Sequence, residues 1–347
     1  EEEGGSLANA FICTANIEAE DGGARIVDGN RKVLAARLSD ARFFWDVDRK
    51  KTLAQHAEGL KRITFHEKLG TVADKVADVE RLAVRLVRDR AIRPDGKVTE
   101  NDEVPSFVGS EEELAEAVAL AARLSKADLV TEMVGEFPEL QGVMGSYYAL
   151  KDGYDPTVAD AIRRQYSAKA VIGMNAVWLG LAIAERLDTL EKFFAIEERP
   201  TGSKDPFALR RAAIDLLFLS GFAESDFDYS RYVASDVVEF VFDRWENQVR
   251  SVGGRHDILQ AVLSDREDGR WQIYAAKWRA LQSFMETGDG TNLLAGYKRA
   301  ANILKKEGFD QKPSPQRGRG LGEGASTDGS GQPHPPTPSP EGEGESS

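Results

Sequence analysis

The sequence is short of cysteine, histidine and net basic charge. It has one cysteine, Cys13, and four histidines among 347 residues, and its 45 basic residues against 58 acidic ones give a net charge of −13. One thiol cannot form an internal disulfide or a thiolate metal cage. No apolar run reaches the roughly 18 to 20 residues that span a bilayer, and the acidic start does not resemble a signal peptide. These shortages exclude a disulfide scaffold, a membrane protein and a basic nucleic-acid coat protein, and they predict a cytoplasmic protein.

The two ends of the chain differ from its body. Residues 308–347 hold 9 glycines and 7 of the 13 prolines, with very few apolar side chains. Such a segment cannot bury enough surface to offset its conformational entropy, so we expect a disordered tail. Near the start, residues 11–17 (FICTANI) have the composition of a β-strand, with Ile26 and Val27 as a short partner. Residues 1–30 are therefore predicted to be the end of a truncated β-containing domain.

The body of the chain, from residue 30 to residue 307, has the apolar spacing of α-helices. One buried stripe is predicted at Val72, Val76, Val79, Leu82 and Leu86. Ser110 and Glu113 form a capping box that opens the next helix. Asp205 and Pro206 are predicted to be the N-cap and first residue of a later helix, which ends at Gly221. The sequence therefore predicts an all-α fold with a small β remnant at its N-terminus.

Basic charge is concentrated in two runs. Residues 25–68 carry a net charge of +5 and residues 298–306 carry +4, whereas residues 110–139 hold eight acidic and two basic side chains. Taken singly, each run is most simply a solvated helix face. Together, two basic runs in an acidic chain are compatible with binding a polyanion at a defined place.

A degenerate metal site is the next pattern. Helical phosphohydrolases of the HD type need a histidine, then a His-Asp pair, then a distant aspartate. In this sequence His66 fills the first position, Ala127-Asp128 stands in place of the His-Asp pair, and Glu185 stands in place of the distant aspartate. Because Ala127 cannot bind a metal, too few ligands remain for a catalytic ion, and no metal site is predicted. An active HD-type metal-dependent phosphohydrolase remains the alternative.

Seven ordered blocks resemble one known family. They are VLAARLSDARFFWDVD (33–48), FHEKLGTVADKV (65–76), LSKADLVTEMVGEFPELQGVMGSYYAL (124–150), RLDTLEKFFAI (186–196), RPTGSKDPFALRRAA (199–213), RHDILQAV (255–262) and NLLAGYKRAANIL (292–304). In this order they are similar to the β subunit of the bacterial heterotetrameric glycyl-tRNA synthetase, over roughly residues 11–304.

The resemblance implies a function and a set of partners. In that family an α2β2 heterotetramer glycylates tRNA(Gly), and the α subunit holds the active site that uses ATP and magnesium. The β subunit binds the tRNA and contains an HD-like helical module and an anticodon-binding domain. Residues 31–200 are then expected to form a degenerate HD-like domain, and residues 201–307 a helical linker with the start of the anticodon-binding region. No cofactor is expected on this chain.

The sequence also departs from the family pattern. Most of the family's N-terminal region is absent, and the similarity stops after Leu304. Glu185 and Glu197 stand where the family has aspartate and glycine. We therefore expect a fragment or truncated subunit without activity of its own, and a non-catalytic helical remnant with no role toward tRNA is the remaining alternative.

Five basic residues are candidates for contact with tRNA phosphates. They are Lys204, Arg210, Arg211, Lys298 and Arg299. The first three lie near the start of one predicted helix, and the other two belong to the second basic run. The alternative for the arginines is an ion pair within the helix, for example between Arg211 and Asp215 four residues later.

Overall fold

The computed structural model describes residues 10–94, 107–167, 175–223 and 227–307, and over these residues the chain is almost entirely helical. The helices are α1 (Ala24–Asp48), α2 (Leu53–Ala57), α3 (Val72–Arg88), α4 (Glu111–Leu124), α5 (Glu132–Glu136), α6 (Val143–Lys151), α7 (Pro156–Arg164), α8 (Ala176–Ala195), α9 (Leu209–Ser220), α10 (Ser235–Ser251), α11 (His256–Leu263), α12 (Trp271–Met285) and α13 (Gly288–Lys306). Short 3₁₀ turns cover Glu58–Arg62, Ala127–Val130, Pro138–Leu140 and Tyr229–Arg231. The all-α prediction is confirmed.

The β-structure lies elsewhere than predicted. The described residues contain one antiparallel hairpin, β1 (Thr64–His66) and β2 (Gly70–Thr71). Residues 11–17 form no strand, and their predicted partner, Ile26 with Val27, is inside α1. The prediction of a β remnant there was wrong because Asp21 accepts hydrogen bonds from the backbone N–H groups of Gly23 and Arg25, both at 3.0 Å. These hydrogen bonds cap a helix, so the chain at Gly22 and Gly23 turns into α1. Residues 11–17 are then left without a neighbouring strand to pair with.

The helix caps of α3 and α4 follow the sequence closely. Ser110 accepts a hydrogen bond from the N–H of Glu113, and the Glu113 carboxylate accepts one from the N–H of Ser110, as the capping box predicts. Thr71 and Asp74 form the same motif at the start of α3. The predicted stripe of α3 faces the interior, with Val79 and Leu86 fully buried.

One hydrophobic core extends through the helices from α2 to α12. Its central element is α8, which is buried on all sides over most of its length and packs against α3, α4, α7 and α9. Gly180 permits the close approach of α8 and α4, because a Cβ at that position would lie 3.1 Å from the Val118 side chain. The same core includes Val158, before residue 200, and Leu216, after it.

The start of α9 differs from the sequence prediction. The helix begins at Leu209, three residues after Pro206, and Ala208 takes a left-handed conformation with φ 54°. Asp205 still caps the helix, but from a distance, since its two carboxylate oxygens accept hydrogen bonds from the N–H groups of Leu209 and Arg210 at 2.8 and 2.9 Å. Residues 201–208 consequently form a turn that the sequence assigned in part to the helix.

The chain divides into two units, Glu1–Met285 and Glu286–Ser347. In the second unit the described element is α13, whose N-cap Thr287 accepts a hydrogen bond from the N–H of Gly290. The tail predicted at residues 308–347 lies outside the described residues. Among the described helices, none has both the length and the apolar character needed to cross a membrane.

Candidate functional site

His66, the first of the degenerate HD positions, is part of an aromatic cluster. It lies on β1, and its Nδ1 accepts a hydrogen bond from the N–H of Lys68 at 3.2 Å. The ring packs edge-on against Phe193 and Phe207, with centroids 5.6 and 5.5 Å away. One ring nitrogen is therefore already used by the hairpin, and the imidazole packs beside two phenyl rings that are stacked on each other with centroids 4.1 Å apart.

Asp128 caps a helix. Its Oδ2 accepts hydrogen bonds from the N–H groups of Gly142 and Gly145, at 2.6 and 2.9 Å, at the start of α6. The approach requires glycine, because a Cβ on Gly145 would lie 3.0 Å from this oxygen and 2.9 Å from Ile162. Burial raises the pKa of the Asp128 carboxyl, and the two N–H groups oppose that rise. The neighbouring Ala127 is buried, and its side chain has no atom that can bind a metal ion.

Glu185 lies on α8 between two cations. Its two carboxylate oxygens accept hydrogen bonds from Lys126 Nζ and an Arg186 guanidinium nitrogen, both at 3.2 Å. Burial by itself raises the pKa of Glu185, but the positive charges of Lys126, Lys75 and Arg186 outweigh it and hold the pKa at about 2. The carboxylate is therefore ionised at neutral pH and has protein cations as its partners.

A second buried ion pair joins α3 to α8 next to Glu185. Lys75 Nζ lies 3.1 Å from a carboxylate oxygen of Asp188 and 2.8 Å from the hydroxyl of Thr189. Both charged side chains are only 6% exposed. Our sequence reasoning missed this pair, although Lys75 stands between Val72 and Val79 on the stripe predicted to be buried. A charged residue on a buried stripe indicates a buried partner, because an unpaired charge there is too costly.

These groups form one buried charge cluster, consisting of Lys75, Lys126, Glu185, Arg186 and Asp188. The cluster does not fit a divalent metal, because lysine and arginine nitrogens already occupy its carboxylates. Asp128 retains one buried oxygen, Oδ1, without a hydrogen-bond partner in the described structure. One carboxylate oxygen is too few ligands for a catalytic ion. No group of three or more histidine, cysteine or acidic side chains suited to a metal occurs among the described residues.

The three candidates near α9 lie on and beside a closed turn. Thr201 and Lys204 exchange two backbone hydrogen bonds, at 3.1 and 2.8 Å. An Arg210 guanidinium nitrogen donates to the carbonyl oxygen of Gly202 at 2.7 Å, which ties this turn to the first turn of the helix. Arg210 therefore has a structural role that the sequence did not reveal, since the contact depends on how the turn folds back.

Lys204 and Arg211 are two exposed cations at the start of α9. Within the described residues no carboxylate pairs with either side chain, and both are exposed. The alternative pairing of Arg211 with Asp215 is not formed, because Asp215 lies 3.4 Å from a guanidinium nitrogen of Arg186. Asp205 is likewise occupied by its helix cap. Two positive charges consequently face solvent at the start of α9.

The other two candidates, Lys298 and Arg299, are exposed on α13 in the second unit. Arg299 follows Lys298 directly, so the two side chains leave the helix about 100° apart. They remain predicted phosphate contacts of that unit.

Comparison with known proteins gives one consistent family. The family model described as glycyl-tRNA synthetase beta subunit matches residues 1–264. Curated relatives named glycine–tRNA ligase beta subunit come from Phenylobacterium zucineum, 47% identical over 307 residues, and from Paracoccus denitrificans, 44% identical over 311 residues. The alignments cover 88% and 85% of this chain. The chain belongs to the glycyl-tRNA synthetase beta subunit family.

The match covers less than half of each relative. The aligned segment is 43% of the length of the Phenylobacterium protein and 42% of that of the Paracoccus protein. A third relative, from Cereibacter sphaeroides, is 42% identical over 324 residues and is also covered to 43%. The family resemblance read from the seven sequence blocks is confirmed.

Proposed function

We propose that this chain is part of a glycine–tRNA ligase β subunit and that it binds and positions tRNA(Gly) for glycylation by an α subunit. The observation that carries the proposal is the 47% identity to a protein of that name over 88% of the chain. Identity at this level over so much of the chain supports a shared role, which a shared fold alone would not.

In this proposal the chain contributes binding and not bond chemistry. ATP and magnesium act on the α subunit of an α2β2 complex, and this chain binds neither. Lys204 and Arg211 support a role in tRNA binding, since each places an unpaired charge in solvent where a phosphate can reach it. The net charge of −13 makes such exposed cations the places where an RNA backbone is attracted to an otherwise repulsive molecule.

A phosphohydrolase function is not supported by any arrangement of the described side chains. His66 is engaged by the hairpin, Asp128 caps α6, and Glu185 is bound by cations. In this proposal the degenerate HD positions are parts of the scaffold, since His66 packs against Phe193 on α8 and Asp128 caps α6.

A binding assay with the full 347-residue chain tests the proposal. We expect saturable binding of tRNA(Gly) at low salt that weakens as salt is raised, and co-elution with the α subunit on gel filtration. We also expect no glycylation by this chain alone. Failure to bind tRNA(Gly) at low salt, with a folded protein by circular dichroism, would contradict the tRNA role.

A further inference from the structure

The solvent-facing side of α9 combines one cation with two exposed apolar side chains. Arg211, Ile214 and Phe218 lie three and four residues apart, so at about 100° per residue they fall within a sector of about 60°. Ile214 is 39% exposed and Phe218 40% exposed. The opposite side of the helix is buried, as Ala213 and Leu216 are. We define Arg211, Ile214 and Phe218 as the α9 face.

The ring of Phe218 is held in place. It packs edge-on against Phe222, with the centroids 5.2 Å apart and the planes at 73°. Phe222 is itself partly buried against the core. Phe218 therefore presents an aromatic surface to solvent without needing to order a free side chain when a ligand binds.

The basic end of the α9 face is also fixed. Arg211 stands about two helical turns, or about 10 Å, before Phe218. Lys204 lies on the turn that Arg210 ties to the first helical turn through its 2.7 Å hydrogen bond to Gly202. The nearby carboxylates are occupied, since Asp205 caps the helix and Asp215 pairs with Arg186. The α9 face thus has the cation Arg211 at one end, with Lys204 on the adjoining turn, and an exposed aromatic ring at the other end.

We infer that the α9 face binds unpaired nucleotides of an RNA, with a base stacked on Phe218 and backbone phosphates at Arg211 and Lys204. Exposed aromatic rings beside basic side chains are the elements with which proteins hold single-stranded nucleic acid. A base paired within a duplex cannot stack on Phe218, so the contact selects single-stranded RNA. This inference rests on the proposed function and adds the kind of nucleotide bound.

A protein partner fits this face less well than RNA does. An apolar protein surface over Ile214 and Phe218 would remove water from Arg211 without supplying a counter-charge, which is unfavourable. Phosphate groups, by contrast, neutralise both cations while the base covers the ring.

The test compares Phe218→Leu with wild type in the full chain. Leucine keeps an apolar contact with Phe222 but removes the stacking surface. The matched control is Tyr147→Leu, which removes another exposed ring, 47% exposed on α6. The probes are tRNA(Gly), a single-stranded RNA 12-mer and the same 12-mer as a duplex, each measured by fluorescence anisotropy at several salt concentrations.

We expect Phe218→Leu to weaken binding of the single-stranded RNA by about 5- to 150-fold, the range for loss of one stacked base. The slope of log affinity against log salt stays unchanged, because no phosphate contact is lost. Arg211→Gln has the complementary effect and lowers the magnitude of that slope by about 0.7. Binding of the duplex by Phe218→Leu, and binding of every probe by Tyr147→Leu, match wild type.

The outcomes separate this inference from the proposed function. If wild type binds tRNA(Gly) and Phe218→Leu binds the single-stranded RNA equally well, the inference is wrong and the proposed function stands. If Phe218→Leu keeps RNA binding but no longer co-elutes with the α subunit, the face is a protein interface and the inference is wrong. If the folded wild-type chain binds no RNA at low salt, both fail.

Discussion

The cations of the buried charge cluster and those at the start of α9 are the same residue types in opposite settings. Lys75 and Lys126 lie inside the protein, each with an acidic partner about 3 Å away. Lys204 and Arg211 lie in solvent with no acidic partner among the described residues. A buried cation is stabilising only while its partner is present, whereas an exposed one costs little and stays available to a ligand. The buried lysines therefore have a structural role, whereas Lys204 and Arg211 remain predicted contacts of a ligand.

The largest expected effect comes from breaking the buried cluster. Lys126→Met keeps the length of the side chain but removes one of the two cations that donate hydrogen bonds to Glu185. We expect the free energy of unfolding to fall by about 3 kcal/mol, because the variant keeps a buried carboxylate while losing one partner. Urea denaturation followed by circular dichroism measures the change.

The matched surface substitution is Lys204→Met, for which we expect a change within about 0.5 kcal/mol. The double variant Lys126→Met/Glu185→Met removes the acid as well and should recover much of the loss, since neither charge is then buried alone. Equal stability of Lys126→Met and wild type would show that the cluster is not needed for the fold.

The pH dependence of stability also distinguishes the buried cation Lys126 from the exposed cation Lys204. The folded-state pKa of Glu185, about 2, is below its ordinary value of 4.5. A depressed pKa means that the carboxylate contributes stability above about pH 4.5 and that this contribution is lost as the pH falls towards 2. Replacing Lys126 raises the folded-state pKa of Glu185. As the pH falls through this range, the free energy of unfolding of Lys126→Met should therefore decrease by about 1 to 2 kcal/mol less than that of wild type.

Unfolding in urea from about pH 7 to about pH 3 provides the measurement, with Lys204→Met as the control that keeps the wild-type dependence. Identical pH profiles for Lys126→Met and wild type would mean that Lys126 does not set the ionisation of Glu185.

The smallest expected effect concerns Glu197, which is exposed where α8 ends. Its φ is 65°, in the left-handed region, and the N–H groups of Glu197 and Glu198 bond to the carbonyl oxygens of Phe194 and Phe193. This is a Schellman motif, in which glycine is the favoured residue. Glu197→Gly should therefore raise the free energy of unfolding by about 1 kcal/mol. Glu197→Ala keeps the Cβ, so its free energy of unfolding should rise by only about a few tenths of a kcal/mol. An equal rise in both variants would exclude backbone strain as the cause.

The sequence predicted local features well and tertiary ones incompletely. The Ser110 cap and the buried stripe of α3 follow from short-range spacing, and both were confirmed. The strand at residues 11–17 was wrong because strand formation depends on a partner, and Asp21 directs that partner into a helix. Local residue spacing also did not predict the Lys75–Asp188 pair, because the two residues are more than a hundred positions apart in the sequence.

The family resemblance drew attention to a backbone feature that residue spacing did not predict. It marked Glu197 as standing where the family has glycine, and the left-handed φ at that position gives the physical reason. By contrast, the role of Arg210 in holding the turn at Gly202 depends on a fold-back that neither the resemblance nor the helical spacing predicts.

The salt dependence of tRNA(Gly) binding tests the division between structural and binding cations most directly. The variants are Lys204→Gln/Arg211→Gln and, as a control, Arg199→Gln, whose guanidinium is paired with Asp236 at 2.6 Å. We predict that the double variant lowers the magnitude of the log-affinity against log-salt slope by about 1.4 to 1.8, at roughly 0.7 to 0.9 per phosphate contact, and that the control leaves it unchanged. A folded double variant with the wild-type slope would contradict the account.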